Sequence, residues 1–597
     1  MSTKRSSIDS YILYRPKELK MHFSLANKLR PKNHYHWLND LIFWGLITVI
    51  AVLLVKGWHD MHGSFEINHN ESLTVSLNPH LLPYYSLRTT MRLLLGLIFS
   101  LLFTFVFGVM AAKYKAAERI ILPFVNFMES VPLVGFLTFT TVMFIALFPH
   151  SIMGLECAAI FGVFTGQAWN MMLIFYQTIR IVPVELNEAA DMFHQNAWSK
   201  FWRIECPYSM PGLLWNTMVS QSAAWFAILA TEAIPVKANT VELPGVGAFM
   251  AEALNQANVS AVLYSVLALI LNIVLLDQLI FRPLVRWVHK FKYEDTASSN
   301  QNTSWFYSLI RHSHSSLYLS QGLKFFAHAW VYGLPKLCLQ LKLNKIIKFS
   351  RSGSFLVSRL WYLLVIFSCC YYGYLLWQFL PKADLIKMPI LMSLTAFRVF
   401  AAMGLSILIF VPLGVWIGLN QKLVRFFQPI IQVLAALPAN LFYPLVAILL
   451  ISYHQSLSVW SIFLIMLGTQ WYILFNVVAG VSTLPHNLIE ASRMFHLRGT
   501  LWWRKFMIPA VFPYIVTGII SAAGGAWNAA IASELITWGK TTKAATGLGA
   551  FISDTTANNQ LAEAALGCTV MCFMVALCII FVWKPLYKMA ETKYRIN

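Results

Sequence analysis

Glu232 and Glu534 each close a long apolar run, and each lies seven residues after a tryptophan, Trp225 and Trp527. Seven residues make two helical turns, so acid and indole share a face. A carboxylate at the end of an apolar span is costly and by default marks contact with a polar solute. The expectation is that these two runs face each other, line a route, and hold Glu232 and Glu534 near its outer mouth. The plain alternative leaves both carboxylates in headgroup water. Asn528 follows Trp527 whereas Phe226 follows Trp225, so such a route would be asymmetric. Gln167, Trp169, Asn170, Gln470 and Trp471 lie in another pair of apolar runs. They are further route candidates, or else hydrogen-bonding glue between helices. Arg92 and Arg398 sit near the start of two more runs, where a guanidinium can draw an anion or snorkel to the interface.

This is the chemistry of passage, and no catalytic residue is expected. The phosphate-cradling Gly-x-x-x-x-Gly-Lys-Ser/Thr pattern does not occur, so ATP hydrolysis by this chain is not expected. Neither His-Glu-x-x-His nor Gly-x-Ser-x-Gly occurs, and no Cys/His cluster suggests a membrane enzyme. The eight cysteines (Cys157, Cys206, Cys338, Cys369, Cys370, Cys568, Cys572 and Cys578) form no Cys-x-x-Cys, and most lie in apolar runs. They read as small buried apolar side chains, with no metal site and no disulfide framework.

The elements that must position these residues are membrane spans. Only 12% of the 597 residues are charged and 58% are hydrophobic, against about 25% charged in soluble domains. Runs long enough to cross a bilayer lie at 37–56, 90–112, 121–148, 152–178, 209–231 and 259–281, then at 356–380, 391–418, 428–452, 456–480, 512–533 and 563–583. The runs around Pro132 and Pro438 are expected to be broken or re-entrant, because proline removes a backbone donor. The net charge is +20, but its basic residues fall between spans, which fits topology rather than nucleic-acid binding. The polar first 36 residues, the loop with Lys113, Lys115 and Arg119, the segment with Lys200 and Arg203, the middle region and the C-terminal tail carry the Lys and Arg. By the positive-inside rule these are cytoplasmic, with both termini inside. Residues 1–36 are read as a cytoplasmic tail, not a cleavable signal. Residues 284–354 are read as a cytoplasmic linker with a basic amphipathic stretch (Lys324, Lys336, Lys342, Lys345, Lys348), suited to an anionic membrane face or to a partner.

Shifting the first half by 302 residues lays it on the second. Trp169 meets Trp471, Glu188-Ala189 meets Glu490-Ala491, Met192-Phe-His194 meets Met494-Phe-His496, and Pro207 meets Pro509. Gly245-Val-Gly-Ala-Phe249 meets Gly547-Leu-Gly-Ala-Phe551. Upstream the offset is 306, pairing Arg92 with Arg398 and Pro132 with Pro438, so a four-residue length difference lies between Pro132 and Trp169. Six spans per repeat give both halves the same orientation, related by a pseudo-two-fold axis along the membrane normal.

Between the fourth and fifth spans of each half runs a polar segment, 183–207 and 485–509, with Glu-Ala-small, a turn, an aromatic-basic helix, and a proline nineteen residues after the Glu. Phe193 and Phe495 suit a partner's pocket, and Glu188 and Glu490 suit a partner's arginine or a helix end. These segments resemble the Glu-Ala-Ala loop of permeases from binding-protein-dependent (type I) ABC importers. The resemblance falls on Glu188, Ala189, Ala190, Ile204 and Pro207, and on Glu490, Ala491, Ser492, Phe506 and Pro509. The family's glycine is replaced by His194 and His496, and its leucine by Cys206 and Ile508. Trp527-Asn-Ala-Ala-Ile-Ala-Ser-Glu534 and Thr546-Gly-Leu-Gly-Ala-Phe551 resemble the nitrate/sulfonate/taurine/bicarbonate group of these permeases; the first half keeps the pattern more loosely.

The resemblance implies an all-α polytopic membrane protein of two tandem six-helix permease domains, 37–283 and 355–597, fused in one chain. It implies that the two loops are coupling helices for two ABC ATPase subunits, with Phe193, His194, Phe495 and His496 at the docking turns. ATP and Mg would be bound by those partners, and this chain would need no cofactor. A periplasmic substrate-binding protein would deliver a small anion or small organic solute across a bacterial inner membrane. Two rival readings are an ion-driven secondary transporter with parallel repeats, and a membrane scaffold or sensor. The first lacks acids in mid-span and gives no reason for two matched loops; the second would show partner binding without flux.

Overall fold

The computed structural model describes residues 36–65, 75–148, 151–233, 243–291, 305–313, 329–333, isolated positions between 321 and 378 and, apart from a few single positions, 382–593. The first half comprises α1 (His36–Phe65), α2 (Leu82–Lys113), α3 (Lys115–Ser130), α4 (Leu133–Leu147), α5 (Met153–Arg180), α6 (Val184–Met192), α7 (Ala197–Lys200), α8 (Cys206–Glu232), α9 (Val246–Asn255), α10 (Val259–Leu276) and α11 (Arg282–Val288). A short helix, α12 (Trp305–His312), lies in the linker. The second half comprises α13 (Lys382–Gly418), α14 (Gln421–Ala436), α15 (Tyr443–Ser452), α16 (Leu457–Ser482), α17 (His486–Met494), α18 (Gly499–Trp502), α19 (Ile508–Ser533), the strands β1 (Leu535–Trp538) and β2 (Thr541–Ala544), α20 (Leu548–Ala557), α21 (Leu561–Cys578) and α22 (Lys584–Lys593).

The sequence repeat is a structural repeat. Helices α6, α9 and α10 recur as α17, α20 and α21 at an offset of 302, and α3 recurs as α14 at 306. The extra residues lie after α4 and in the first turns of α5, since α4 still keeps the upstream register and α5 ends in the downstream one. Four one-turn π bulges also repeat, Phe201–Glu205 with Trp503–Met507 and Asp277–Phe281 with Ile579–Trp583. Each is followed two residues later by a proline: Pro207, Pro509, Pro283 or Pro585. A proline ring clashes with the carbonyl one turn back and offers it no N–H. Widening that turn lets the helix run through the proline instead of ending there.

The third span of each half is divided at its proline. Helix α3 ends at Ser130, Val131 and Pro132 are extended, and α4 begins at Leu133; α14 likewise ends before Leu437 and Pro438. Among the described residues eight helices are long and apolar enough to cross a membrane, fewer than the twelve spans expected. The split third spans account for part of the difference, and the expected span 356–380 lies almost wholly outside the described residues. Among those residues the one sheet is a hairpin in which Leu535 pairs with Ala544 and Trp538 with Thr541. Its turn uses Gly539 at φ +57°, a conformation that favours glycine.

Helix α5 packs between α2 and α8, and α16 between α13 and α19. The halves share their interior. Leu437 and Leu441 join the first-half core around Val163, Trp225 and Phe249. Trp215 of α8 packs on Phe475 of α16 with ring centroids 4.7 Å apart, and the Tyr472 hydroxyl bonds to Ser222.

Candidate translocation cavity and coupling surfaces

The two acids expected in the route are walled in instead. Glu232 is 1% exposed. It accepts from Thr89 Oγ1 at 2.9 Å, Arg92 Nη1 at 2.6 Å and the Gly247 amide at 2.8 Å. Arg92 also reaches Glu156 through Nε at 2.5 Å and Nη2 at 2.7 Å, and Arg88 donates to the same carboxylate at 2.7 Å. The first half thus buries two guanidinium groups against two carboxylates. In the second half Glu534 accepts from Thr395 at 2.9 Å, Arg398 at 2.8 Å and the Gly549 amide at 2.8 Å. There the offset of Arg88 falls on Leu394, and the set shrinks to one pair. Each set is balanced in charge, which is the condition for burying it. Neither Glu232 nor Glu534 lines the cavity between the halves, and Arg92 and Arg398 are buried against these carboxylates and do not line it.

The same contacts explain the repeated Gly-x-Gly. A Cβ on Gly245 would run into the Glu232 carboxyl carbon, and one on Gly547 would run into Glu534 Oε2. Gly245 and Gly547 are extended at φ −176° and −175°, so space rather than conformation demands glycine. The carboxylates pin the start of α9 and α20 to α2 and α13.

A cavity of about 690 Å³ lies between the halves. Its wall takes Trp169, Asn170, Trp471, Trp527 and Asn528 from the expected set. It also takes Asn216, Ser220 and Ser222 of α8, Tyr472 of α16, and Asn126 and Glu129 of α3. Gln167 is fully buried with both amide atoms unpartnered among the described residues, and Gln470 is 5% exposed; neither lines the cavity. Trp225 lines a separate small pocket of about 40 Å³ with Gln221 and Asp277, while its counterpart Trp527 lines the large cavity. The two helix breaks meet here. Asn528 Oδ1 of the second half accepts from the Leu133 amide at 2.6 Å, capping the start of α4 across the interface. Leu133 begins a helix whose own N-cap residue is Pro132, with no side-chain acceptor, so the cap comes from the other half.

At the loops, α6 and α17 end in the same hydrogen-bond pattern. The His194 amide donates to Asp191 O at 3.0 Å and the Gln195 amide to Ala190 O at 3.0 Å. In the second loop the His496 amide donates to Arg493 O at 2.9 Å and the Leu497 amide to Ser492 O at 3.1 Å. This is a Schellman termination, which needs a left-handed residue after the cap. His194 has φ +49° and His496 φ +50°, so histidine occupies the conformation that suits the glycine of the resembled motif. Ala190 and Ser492 are buried, Ala189 and Ala491 half-buried, and Glu188 and Glu490 exposed. The turn leaves Met192, Phe193, Met494 and Phe495 78–80% exposed. Large apolar side chains held out together in this way mark an interaction surface.

The duplication extends to family membership. A family model described as "Binding-protein-dependent transport system inner membrane component" matches residues 104–288 and again 410–596. The chain belongs to this family. Similar proteins include a bicarbonate transport system permease protein of Synechococcus elongatus, 30% identical over 195 residues, covering 32% of this chain and 66% of that protein. A bicarbonate transport system permease protein of Synechocystis is 28% identical over 222 residues, 32% of this chain and 76% of that protein. A nitrate import permease protein of Leptolyngbya laminosa is 32% identical over 144 residues, 24% of this chain and 48% of that protein. The chain thus spans about two thirds of the first relative's length and about half of the last.

As a member of this family, the chain is a membrane component of a transport system. Sequence reasoning missed four participants. Glu129 is legible as an acid inside the third span, three residues before its proline. Arg88 and Glu156 carry no repeat signal, because the second half lacks them. Trp330 lies in the linker, where its carbonyl accepts from Trp198 Nε1 at 3.1 Å and its ring packs on Trp198 and Trp202 of the first loop segment. The basic linker residues Lys324, Lys336, Lys342, Lys345 and Lys348 lie outside the described residues.

Proposed function

We propose that this chain is the complete pair of membrane domains of an ABC importer, fused in one polypeptide, and that the cavity between its halves is the route of a small solute. The observation that carries the reading is the duplicated turn: two coupling segments, at matching positions, each presenting an exposed Met-Phe pair beyond a Schellman termination. Glu188, Phe193 and His194 in one, and Glu490, Phe495 and His496 in the other, each receive one ATPase subunit. ATP and Mg are bound there and not by this chain. Both loops and both termini face the cytoplasm of a bacterial inner membrane, and a periplasmic binding protein delivers solute to the opposite face. Domain limits of 37–283 and 355–597, joined by a cytoplasmic linker, fit this arrangement. Closure of the ATPase pair moves the two loops, and α5–α8 and α16–α19 carry that motion to the cavity wall.

The named cargoes of the relatives, bicarbonate and nitrate, favour a small anion or a small organic solute. Trp169, Asn170, Trp471, Trp527 and Asn528 are the wall residues expected to meet it. The test is uptake by proteoliposomes holding the chain with its ATPase and binding protein. ATP-dependent accumulation that stops without the binding protein is expected. Accumulation driven by a proton or sodium gradient without ATP would refute the reading.

A further inference from the structure

The acids buried among the helices are all paired, among the described residues. Glu156 and Glu232 hold Arg92, Glu534 holds Arg398, and Asp277 holds Arg282 at 2.8 Å. Glu129 has no hydrogen bond or ion pair among the described residues, and its side chain is exposed to the cavity between the halves. An unpaired carboxylate in that position is costly, and none of the contacts among the described residues uses it. It stands fourteen residues into α3 from Lys115, about 21 Å of helical rise, beside the break at Pro132. The only other charged residue lining the cavity, among those described, is Lys584 at the start of α22, on the opposite half of the chain. The same wall carries the rings of Trp169, Trp471 and Trp527 and the amides of Asn126 and Asn170.

We propose that Glu129 is the specificity residue of this cavity, selecting a small organic solute that carries a positively charged nitrogen and rejecting bare anions. The inference rests on the cavity being the solute route and narrows the substrate class left open there. A carboxylate facing a space with low-dielectric walls attracts a cation and repels an anion far more strongly than it would in water. Indole faces add cation–π attraction for an ammonium or amidinium group, and asparagine amides orient the rest of a polar solute. The repeat supplies a second argument. At the 306 offset Glu129 falls on Ala435, which also lines the cavity. The charge has therefore been placed on one side only, as expected of a binding group for an asymmetric solute and not of a symmetric structural element.

The experiment is calorimetric titration of the ATPase-bound complex in nanodiscs with benzylammonium chloride, then with sodium nitrate and sodium bicarbonate. Saturable binding of benzylammonium is expected, with neither anion binding or competing. Glu129→Gln, which keeps size and polarity, is expected to weaken benzylammonium binding about tenfold or more. Adding Ala435→Glu to Glu129→Gln is expected to restore most of it, an outcome that a purely structural role for Glu129 would not produce. Tight binding of nitrate or bicarbonate in the cavity, unchanged amine binding in Glu129→Gln, or no rescue by Ala435→Glu would overturn the proposal. Failure of the importer reading would show separately, as a chain that recruits no ATPase.

Discussion

At the scale of single residues, buried charge in this protein is structural, and its worth differs between the halves. Arg92 is shared by Glu156 and Glu232, so neutralising Glu232 leaves it a partner. Among the described residues Arg398 has only Glu534. Removing one partner of a buried pair costs about 3–5 kcal/mol, because the remaining charge is left desolvated and alone. Glu534→Gln is therefore expected to lower the thermal unfolding midpoint in detergent more than Glu232→Gln does. Equal losses would contradict the network described. Gly245→Ala and Gly547→Ala are expected to destabilise comparably to each other in the same measurement, since each Cβ would meet its carboxylate. The Trp-x6-Glu spacing is legible in the sequence, but its meaning is not. A carboxylate at a span's end has two low-energy fates, solvent or an arginine, and only the partner's position decides between them. Arg92 lies 140 residues away, at a distance no local pattern reports.

At the scale of elements, two kinds of helix end lend themselves to test. Helix α4 is capped by Asn528 from the other half. Asn528→Leu should remove about 1 kcal/mol of capping and loosen the contact between halves, read as faster amide exchange at Leu133 and its neighbours. Unchanged exchange there would mean that the cap is idle. The coupling turns depend on a left-handed residue. Replacing His194 and His496 by glycine is expected to keep ATPase docking and to preserve or raise loop stability. Replacing both by valine, for which positive φ is strained, is expected to increase protease nicking at the turns. The breaks at Pro132 and Pro438 and the loops themselves are legible in the sequence, because proline and the 302-residue repeat act locally and in duplicate. The β1–β2 hairpin is not. It has only four residues per strand, and it is anchored by long-range contacts such as the Gly539 amide on Leu254 O.

At the scale of the whole molecule, one chain is built as two copies of one helical unit that have diverged where they meet the cavity. The scaffold remains matched, down to the four π bulges. The cavity wall does not: Glu129 corresponds to Ala435, Asn528 corresponds to Phe226, and Trp225 lies outside the wall that holds Trp527. Fusion makes this divergence possible, because each side can be set independently. The linker adds a further asymmetry, since Trp330 rests on the first loop segment. The two loops thus have unequal surroundings.

The central claim is that two matched loops each receive an ATPase. Its most direct test is purification of the tagged chain from its host in mild detergent, with the mass of the intact complex measured. Two ATPase subunits per chain are predicted for the wild type, one for Phe193→Ala or Phe495→Ala at limiting affinity, and none for the double variant. An intact, folded chain that carries no ATPase, or a double variant that keeps both, would contradict the account.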